Sequence, residues 1–593
     1  MVIAADVVGR SGKRFRKLAV DTCCDPGRLV KNVKRRVHIL NWITSYGSRD
    51  LVEDFIAGVT VGLTIIPQSL AYAPLAGLPP QYGLYAAYMG ALVYIIFGSV
   101  KEVSVGPTSL MALLIVQYTT DKPMEYAILL AFLVGIVELL MGIFKLGFLV
   151  SFIPIPVTSA FTSATSIIII GTQLKNLFGI PTKGNGFFTT VYRIATNLSE
   201  TNVADLLLGL FGCAFLLSIQ QVTKIQINTE TPRGKFLKKF LWYLSLSRNA
   251  LIVLISSVLA YIWHSNGSSV PFKLSGKVTP GIPGFEFPIY DVHNGNETIP
   301  YWQVVRELGS SIILTPMVAI LANVSIAKAF TTGKIVDASQ EMIALGLCNI
   351  VGSFFSAMPT CGAFTRSAVS HSSGVRTPLA GLYSASMVLL SLSLLTPYFY
   401  FIPKTTLGAV LICSVMFMID LKIAKTFWKA SKIDGMCWTG CFLCSLFAGV
   451  EVGLLFGIFI GILGLLKVWV RPMIQQESVS REELRYLKYR PEVGLFFPAV
   501  DYLRTEIVAS AIEQPLPIVL DCSAIFGLDH TSSKGLEELR KELDRMELKL
   551  ILLNLRDDLK LKLEALNTDC QLIFWKNEDE AANARDLVIS IRK

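Results

Sequence analysis

From Leu51 to Val470 the chain returns again and again to apolar runs of helix length that carry almost no charge. Hydrocarbon offers no water to backbone N–H and C=O groups, so runs of this kind must satisfy their backbone internally, and their length reads as membrane helices. A mean hydropathy of +0.54 with only 17% charged residues excludes an ordinary soluble protein. Fourteen membrane segments are expected, near residues 52–73, 82–98, 107–119, 124–141, 147–170, 204–221, 248–263, 303–328, 340–355, 363–377, 379–396, 404–418, 435–450 and 452–469. They divide into two sets of seven, and an odd number per set makes the second inverted relative to the first.

Within this apolar region Arg366 stands in the stretch Ser356–Val369, between apolar segments on both sides. A charge at that depth costs about 2.5–3.5 kcal/mol on insertion scales and usually marks an ion or substrate path. Pro359 and Gly362 precede it, so an extended backbone should enter the bilayer and a helix should start near Ala363. An earlier stretch has the same design: Val103–Ser109, containing Pro107-Thr108, followed by an apolar helix from Leu110. Each helix start behaves like roughly +0.5 charge. Two of them with Arg366 therefore make an anion site of about +2, and the paired breaks open the third segment of each set.

The net charge of +10 is of the sign that suits nucleic acid, but the basic residues cluster beside apolar segments, as cytoplasmic loops do. Residues 1–50 read as a basic cytoplasmic tail rather than a signal peptide. Residues 224–248 should be cytoplasmic, and 171–203 and 264–302 should face outside. The sequons at Asn197, Asn266 and Asn296 fall in those outside loops, whereas the one at Asn323 lies inside a helix. Eleven scattered cysteines and five histidines indicate no metal site or disulfide framework, and no motif calls for a cofactor. Serine-triad, zinc-protease and phosphate-loop patterns are missing, which argues against an enzyme. Glu138 and Lys145 are spaced to pair on one helical face near a membrane surface, Glu138 is also a conceivable partner of Arg366, and Asp54 and Arg248 read as interfacial anchors.

After Arg471-Pro472 the composition becomes charged and alternating. Strands are expected at 485–495, 517–521, 548–553 and 571–574, and helices at 500–511, 531–547, 557–565 and 578–591, an α/β domain at 471–593.

Several stretches resemble the sulfate permease family of anion transporters. They are Pro67-Gln-Ser-Leu-Ala-Tyr72, Ala76-Gly-Leu-Pro-Pro-Gln-Tyr-Gly-Leu-Tyr85, Gly98-Ser99, Val105-Gly-Pro107, Gln340–Gly346 and Gly352-Ser353. The resemblance implies two inverted seven-helix repeats forming core and gate domains at 51–470, a C-terminal STAS domain at 471–593, and usually a homodimer. It implies substrates among sulfate, chloride, bicarbonate, oxalate and iodide, and a plasma or lysosomal membrane with both termini cytoplasmic. Carried over by position, the anion site comprises Gln68, Tyr72, Thr108, Ala363, Thr365 and Arg366, with Ala363 contributing backbone only. Ala322 stands where proton-coupled relatives carry a glutamate, which favours anion exchange or uncoupled movement over proton symport. His530 stands where bacterial antagonist domains carry a phosphorylated serine, and Thr531 is left with a capping role. The alternatives that remain open are an anion channel and a voltage-responsive motor with little net transport.

Overall fold

The structure is a computed structural model that describes residues 34–577 apart from 121, 181–186, 223–237, 239, 243, 246, 268–269, 277, 290, 295–296, 332–335, 482–483, 493 and 567–571. The sequon at Asn296 and the expected helix at 578–591 lie outside the described residues. Two compact units divide between Ile458 and Phe459.

After a short helical turn at Ile39–Trp42, the first unit runs through α1 (Ser48–Leu75), α2 (Pro80–Phe97), β1 (Val105–Gly106), α3 (Ser109–Thr119), α4 (Glu125–Ile143) and α5 (Ile155–Phe178). It continues through α6 (Phe187–Thr196), α7 (Val203–Val222), α8 (Arg248–Ser265), the hairpin β2 (Val292–Asn294) and β3 (Glu297–Ile299), α9 (Tyr301–Leu308) and α10 (Ser311–Phe330). Then follow α11 (Ala338–Ser353), β4 (Cys361–Gly362), α12 (Phe364–Ser372), α13 (Ala380–Leu390), α14 (Lys404–Val415), α15 (Lys422–Ala430), α16 (Lys432–Phe447) and α17 (Val450–Val470), within which the division falls. Among the described residues, eight helical stretches, including α1, α4, α5, α7, α10 and α17, are long and apolar enough to cross a membrane.

Local chemistry moves several expected boundaries. Helix α5 begins eight residues after the expected segment, with Pro154 and Pro156 at its start, where a missing N–H costs nothing, and it ends where Gly179 takes φ 64°. The expected span at 303–328 is instead α9 and α10, separated at Gly309 with φ 47°. Helix α12 stops at Ser372, short of the turn at Gly374, whose φ is 79°. The amphipathic helices α6 and α15 occupy stretches read as loops.

Helices α4 and α11 pack with their backbones in contact. A Cβ on Gly135 would lie 2.7 Å from the Gly346 carbonyl, and one on Gly346 would lie 2.6 Å from the Leu139 nitrogen. Asp54 is not an interfacial anchor: it is fully buried and accepts from the N–H groups of Arg376 (2.8 Å) and Thr377 (3.0 Å), fixing the turn into α13. Arg248 is half-buried at the first position of α8.

The second unit carries β5 (Ile474–Arg481), β6 (Leu484–Pro491), α18 (Phe497–Glu513), β7 (Ile518–Asp521), α19 (His530–Arg545), β8 (Leu550–Leu553), α20 (Asp557–Leu566) and β9 (Ile573–Trp575). Its sheet has the order β5-β6-β7-β8-β9, antiparallel at β5–β6 and parallel from β6 onward. Parallel strands need crossover helices, and α18, α19 and α20 supply them. Strands β7 and β8 are buried throughout and read as continuous apolar runs. The cap of α19 is Asp529, not Thr531. Its carboxylate accepts from Ser532 N (2.7 Å) and from Phe497 N at the start of α18 (2.9 Å), joining two helix origins.

Although partial burial works against it, these N–H groups hold the Asp529 carboxyl below the usual aspartate range. Its contribution is therefore present above the ordinary aspartate pKa and lost as pH falls through the depressed native value. Asp529→Ala is expected to cost about 1 kcal/mol at neutral pH, read as faster hydrogen exchange at the starts of α18 and α19 in the full-length protein. Unchanged exchange there would remove the role of this cap.

Candidate functional site

The two broken segments meet in the middle of the first unit. Strand β1 pairs antiparallel with β4, Val105 opposite Gly362 and Gly106 opposite Cys361, and Ala363 N donates to Ser104 O at 3.0 Å. Each extended arm thereby satisfies the backbone of the other where solvent is not available. Each strand carries a glycine where polar side chains crowd its backbone. A Cβ on Gly362 would lie 2.6 Å from Asn323 Oδ1, and one on Gly106 would lie 3.1 Å from Arg366 Nη2.

Helix α3 leaves β1 at Thr108, whose Oγ1 caps the Met111 N–H at 3.2 Å. Helix α12 leaves β4 at Ala363 with no side-chain cap, so the N–H groups of Phe364, Thr365 and Arg366 have no acceptor within the helix. The same holds for Ser109 and Leu110 in α3. Both helix starts open on one cavity of about 390 Å³, lined among others by Tyr72, Thr108, Ser109, Ala363 and Thr365. The rest of the lining comes from α5 between Thr158 and Ile169, from the end of α14 at Ser414, and from Ala322 and Ser325 on α10, the helix that packs on β4.

Arg366 and Gln68 stand behind this lining. The guanidinium is fully buried; Nη1 donates to Pro107 O at 2.8 Å and lies 3.5 Å from Gln68 Oε1, and Nε lies 3.4 Å from Ser104 Oγ. Its Nη2 has no partner among the described residues. Arg366 thus ties α12 to the α3 entry and sets a fixed positive charge beside two helix N-termini. Of the six expected residues, Tyr72, Thr108, Ala363 and Thr365 line the cavity, and Gln68 and Arg366 back it. The Ala363 N–H, expected to face a ligand, is already given to Ser104.

Two carboxylates hold the arms from outside. Glu138 does not pair with Lys145 or Arg366; it is fully buried and its Oε2 accepts from Asn349 Nδ2 at 2.8 Å. Asn349 in turn accepts from Thr360 N and Thr360 Oγ1, both at 2.8 Å, and fixes the entry to β4. Glu341 accepts from Ser99 N (3.0 Å), Tyr94 OH (3.0 Å) and Asn323 Nδ2 (2.8 Å), fixing the approach to β1. Asn323, the sequon placed inside a helix, is fully buried in this way. Ser104, Asn349 and the acids were missed as site residues. Their only signal was a polar residue inside an apolar run.

Helices of membrane-crossing length around paired half-helices, followed by an α/β domain, define a multi-pass membrane transporter fold. The sulfate permease family model matches residues 51–441 and the STAS domain model residues 477–581. The chain is 40% identical over 534 residues to the sodium-independent sulfate anion transporter of Bos taurus, covering 89% of this chain and 87% of that protein. It is 30% identical over 574 residues to the chloroplastic sulfate transporter 4.1 of Arabidopsis thaliana, covering 90% and 80%. The inward-facing structure of the murine Solute Carrier 26 family member A9 anion transporter has the same fold, with a TM-score of 0.80 at 20% identity, covering 93% of this chain and 94% of that one. The chain belongs to the sulfate permease family, whose members matched here are named transporters or permeases, not enzymes.

Asn349→Ala leaves the Thr360 N–H and the Glu138 carboxyl without their partners. The full-length protein in detergent is expected to lose about 2 kcal/mol, measured as a lower thermal unfolding midpoint, and an unchanged midpoint would contradict the role given to Asn349.

Proposed function

We propose that the protein moves sulfate and related small anions, among them chloride, oxalate and bicarbonate, across a membrane by alternating access as an anion exchanger. The observation that carries this reading is the pair of helix origins, α3 and α12, opening on one cavity with Arg366 behind them. Free N–H groups at helix starts are ready-made oxyanion donors. The hydroxyls of Tyr72, Ser109, Thr108 and Thr365 add side-chain donors around the same space. Gln68 and Arg366 act from behind, Arg366 by its field and by holding the two arms in register. The names of the bovine and plant relatives support sulfate as a substrate.

In this reading the apolar region crosses the membrane fourteen times as two inverted repeats, a core domain carrying α3 and α12 and a gate domain carrying α5 and α14. The domains run 1–50, 51–470 and 471–593, with both termini cytoplasmic. Asn197, Asn266 and Asn296 are glycosylated on the outer side, the protein is a homodimer, and it resides in the plasma or lysosomal membrane. Transport consists of the core sliding against the gate so that the cavity meets each aqueous face in turn.

Ala322 lines the cavity, so a methyl group faces the anion where a carboxylate would couple it to a proton. Exchange or uncoupled movement is accordingly favoured over proton symport. An anion channel or a voltage-responsive motor is the competing reading, set apart by transient charge movement without stoichiometric flux.

Arg366→Ala is expected to lower radioactive sulfate uptake into vesicles at least about tenfold at equal surface expression, the loss of a buried charge-assisted interaction. Arg366→Lys should recover only part of it, because one ammonium cannot replace a planar fork bonded to Pro107 and reaching Gln68 and Ser104. Undiminished uptake in Arg366→Ala would refute the site. Ala322→Glu is expected to make uptake rise as pH falls, since protonation removes a negative charge facing the anion. A pH profile identical to wild type would show that position 322 does not face the path.

A further inference from the structure

A second cavity of about 480 Å³ lies apart from the first along the same helices. Helix α5 gives the first cavity residues between Thr158 and Ile169 and gives the second Thr172, Gln173, Lys175 and Asn176. Helix α14 contributes Ser414 to the first and Lys404 and Leu407 to the second, and α3 contributes Ser109 and Leu110 to the first and Leu113 and Val116 to the second. The two spaces therefore sit at opposite ends of α3, α5 and α14. On α1 they are neighbours, Tyr72 facing one and Ala71 the other.

The second cavity has its own electrostatics. Lys175 and Lys404 both line it, no aspartate or glutamate does, and among the described residues neither ammonium has an ion-pair partner. Asp205 of α7 lies against Gly179 but outside the lining, where it accepts the Lys273 N–H at 3.2 Å. Lys175 is in the last turn of α5, where a cation suits the helix dipole by itself. Lys404, an exposed residue, is the first of α14, where the helix dipole adds to its positive charge rather than balancing it. Thr190 of α6 points the same way: it is 1% exposed, lines the cavity, and its Oγ1 has no partner among the described residues. A buried hydroxyl without a partner among the described residues, in a cavity whose two lysines have no ion-pair partner among them, is a donor set lacking its acceptor.

We propose that this cavity is a second anion station, in which Lys175, Lys404 and Thr190 hold a small divalent oxyanion on the opposite side of the barrier from the α3–α12 cavity. The station rests on the reading that the chain carries anions, and it concentrates the substrate at one mouth of the path. Two lysines lining one cavity with no acid in its lining raise the local anion concentration and the rate of entry.

The test has two arms. Purified full-length Arg366→Ala protein is titrated with sodium sulfate, against sodium gluconate at equal ionic strength, while its thermal unfolding is followed. A sulfate-specific rise in the midpoint is expected, and it should vanish when Lys175→Gln and Lys404→Gln are added. A rise that survives without the two lysines, or no rise in the Arg366→Ala protein, overturns the station. In the second arm, on the wild-type background, sulfate flux is measured in vesicles of each orientation. Lys175→Gln/Lys404→Gln is expected to raise the half-saturating sulfate concentration by about tenfold on the Lys175 face and not on the other. Lys175→Arg/Lys404→Arg should restore it. An equal change on both faces, or none, overturns the station. A wild-type protein that carries no sulfate overturns the transport reading instead, and the binding titration then decides the station alone.

Discussion

Everything in the membrane region follows from one constraint: polar backbone cannot be left unpaired in hydrocarbon. Two segments of this chain nevertheless abandon the helix midway. They do so together, β1 on β4, so each supplies the hydrogen bonds the other lost. The pairing places the origins of α3 and α12 at one level and exposes helix N–H groups to a cavity rather than to lipid. The cavity onto which two helix origins open is the consequence of that repair, not an addition to it.

The arms are held from both sides. Arg366 bonds the Pro107 carbonyl from within, while Glu341 grips Ser99 and Asn349 grips Thr360 from outside. Buried polar and charged groups are costly, and here each is tied by at least one hydrogen bond to the approach of a broken segment. The carboxylate–amide pairs Glu138–Asn349 and Glu341–Asn323 have the same design on α4, α10 and α11. The backbone contact of α4 with α11 through Gly135 and Gly346 gives them a rigid frame.

Much of this was legible in residue order. Pro107, Pro359 and Gly362 announced the breaks, and α12 begins one residue after the expected start at Ala363. Four of the expected site residues line the cavity. What could not be read was pairing across about 250 residues. That pairing turns Arg366 away from the cavity and consumes the Ala363 N–H. Lys175 and Lys404 each look like a residue at a helix end, and only the fold brings them to one space. In the C-terminal unit β7 and β8 were visible as apolar runs, whereas β5 was missed because it is a polar edge strand. The cap of α19 was misassigned by two residues, since Asp529 outcompetes Thr531 by reaching two helix origins.

The central claim is that an oxyanion is held by the exposed N–H groups of α3 and α12. Anomalous diffraction from crystals of the full-length protein equilibrated with selenate, a heavy isostere of sulfate, tests it most directly. A selenium peak is expected inside the cavity, within hydrogen-bond reach of Ser109 and Leu110 on one side and Phe364 and Thr365 on the other. No peak there at saturating selenate would contradict the claim.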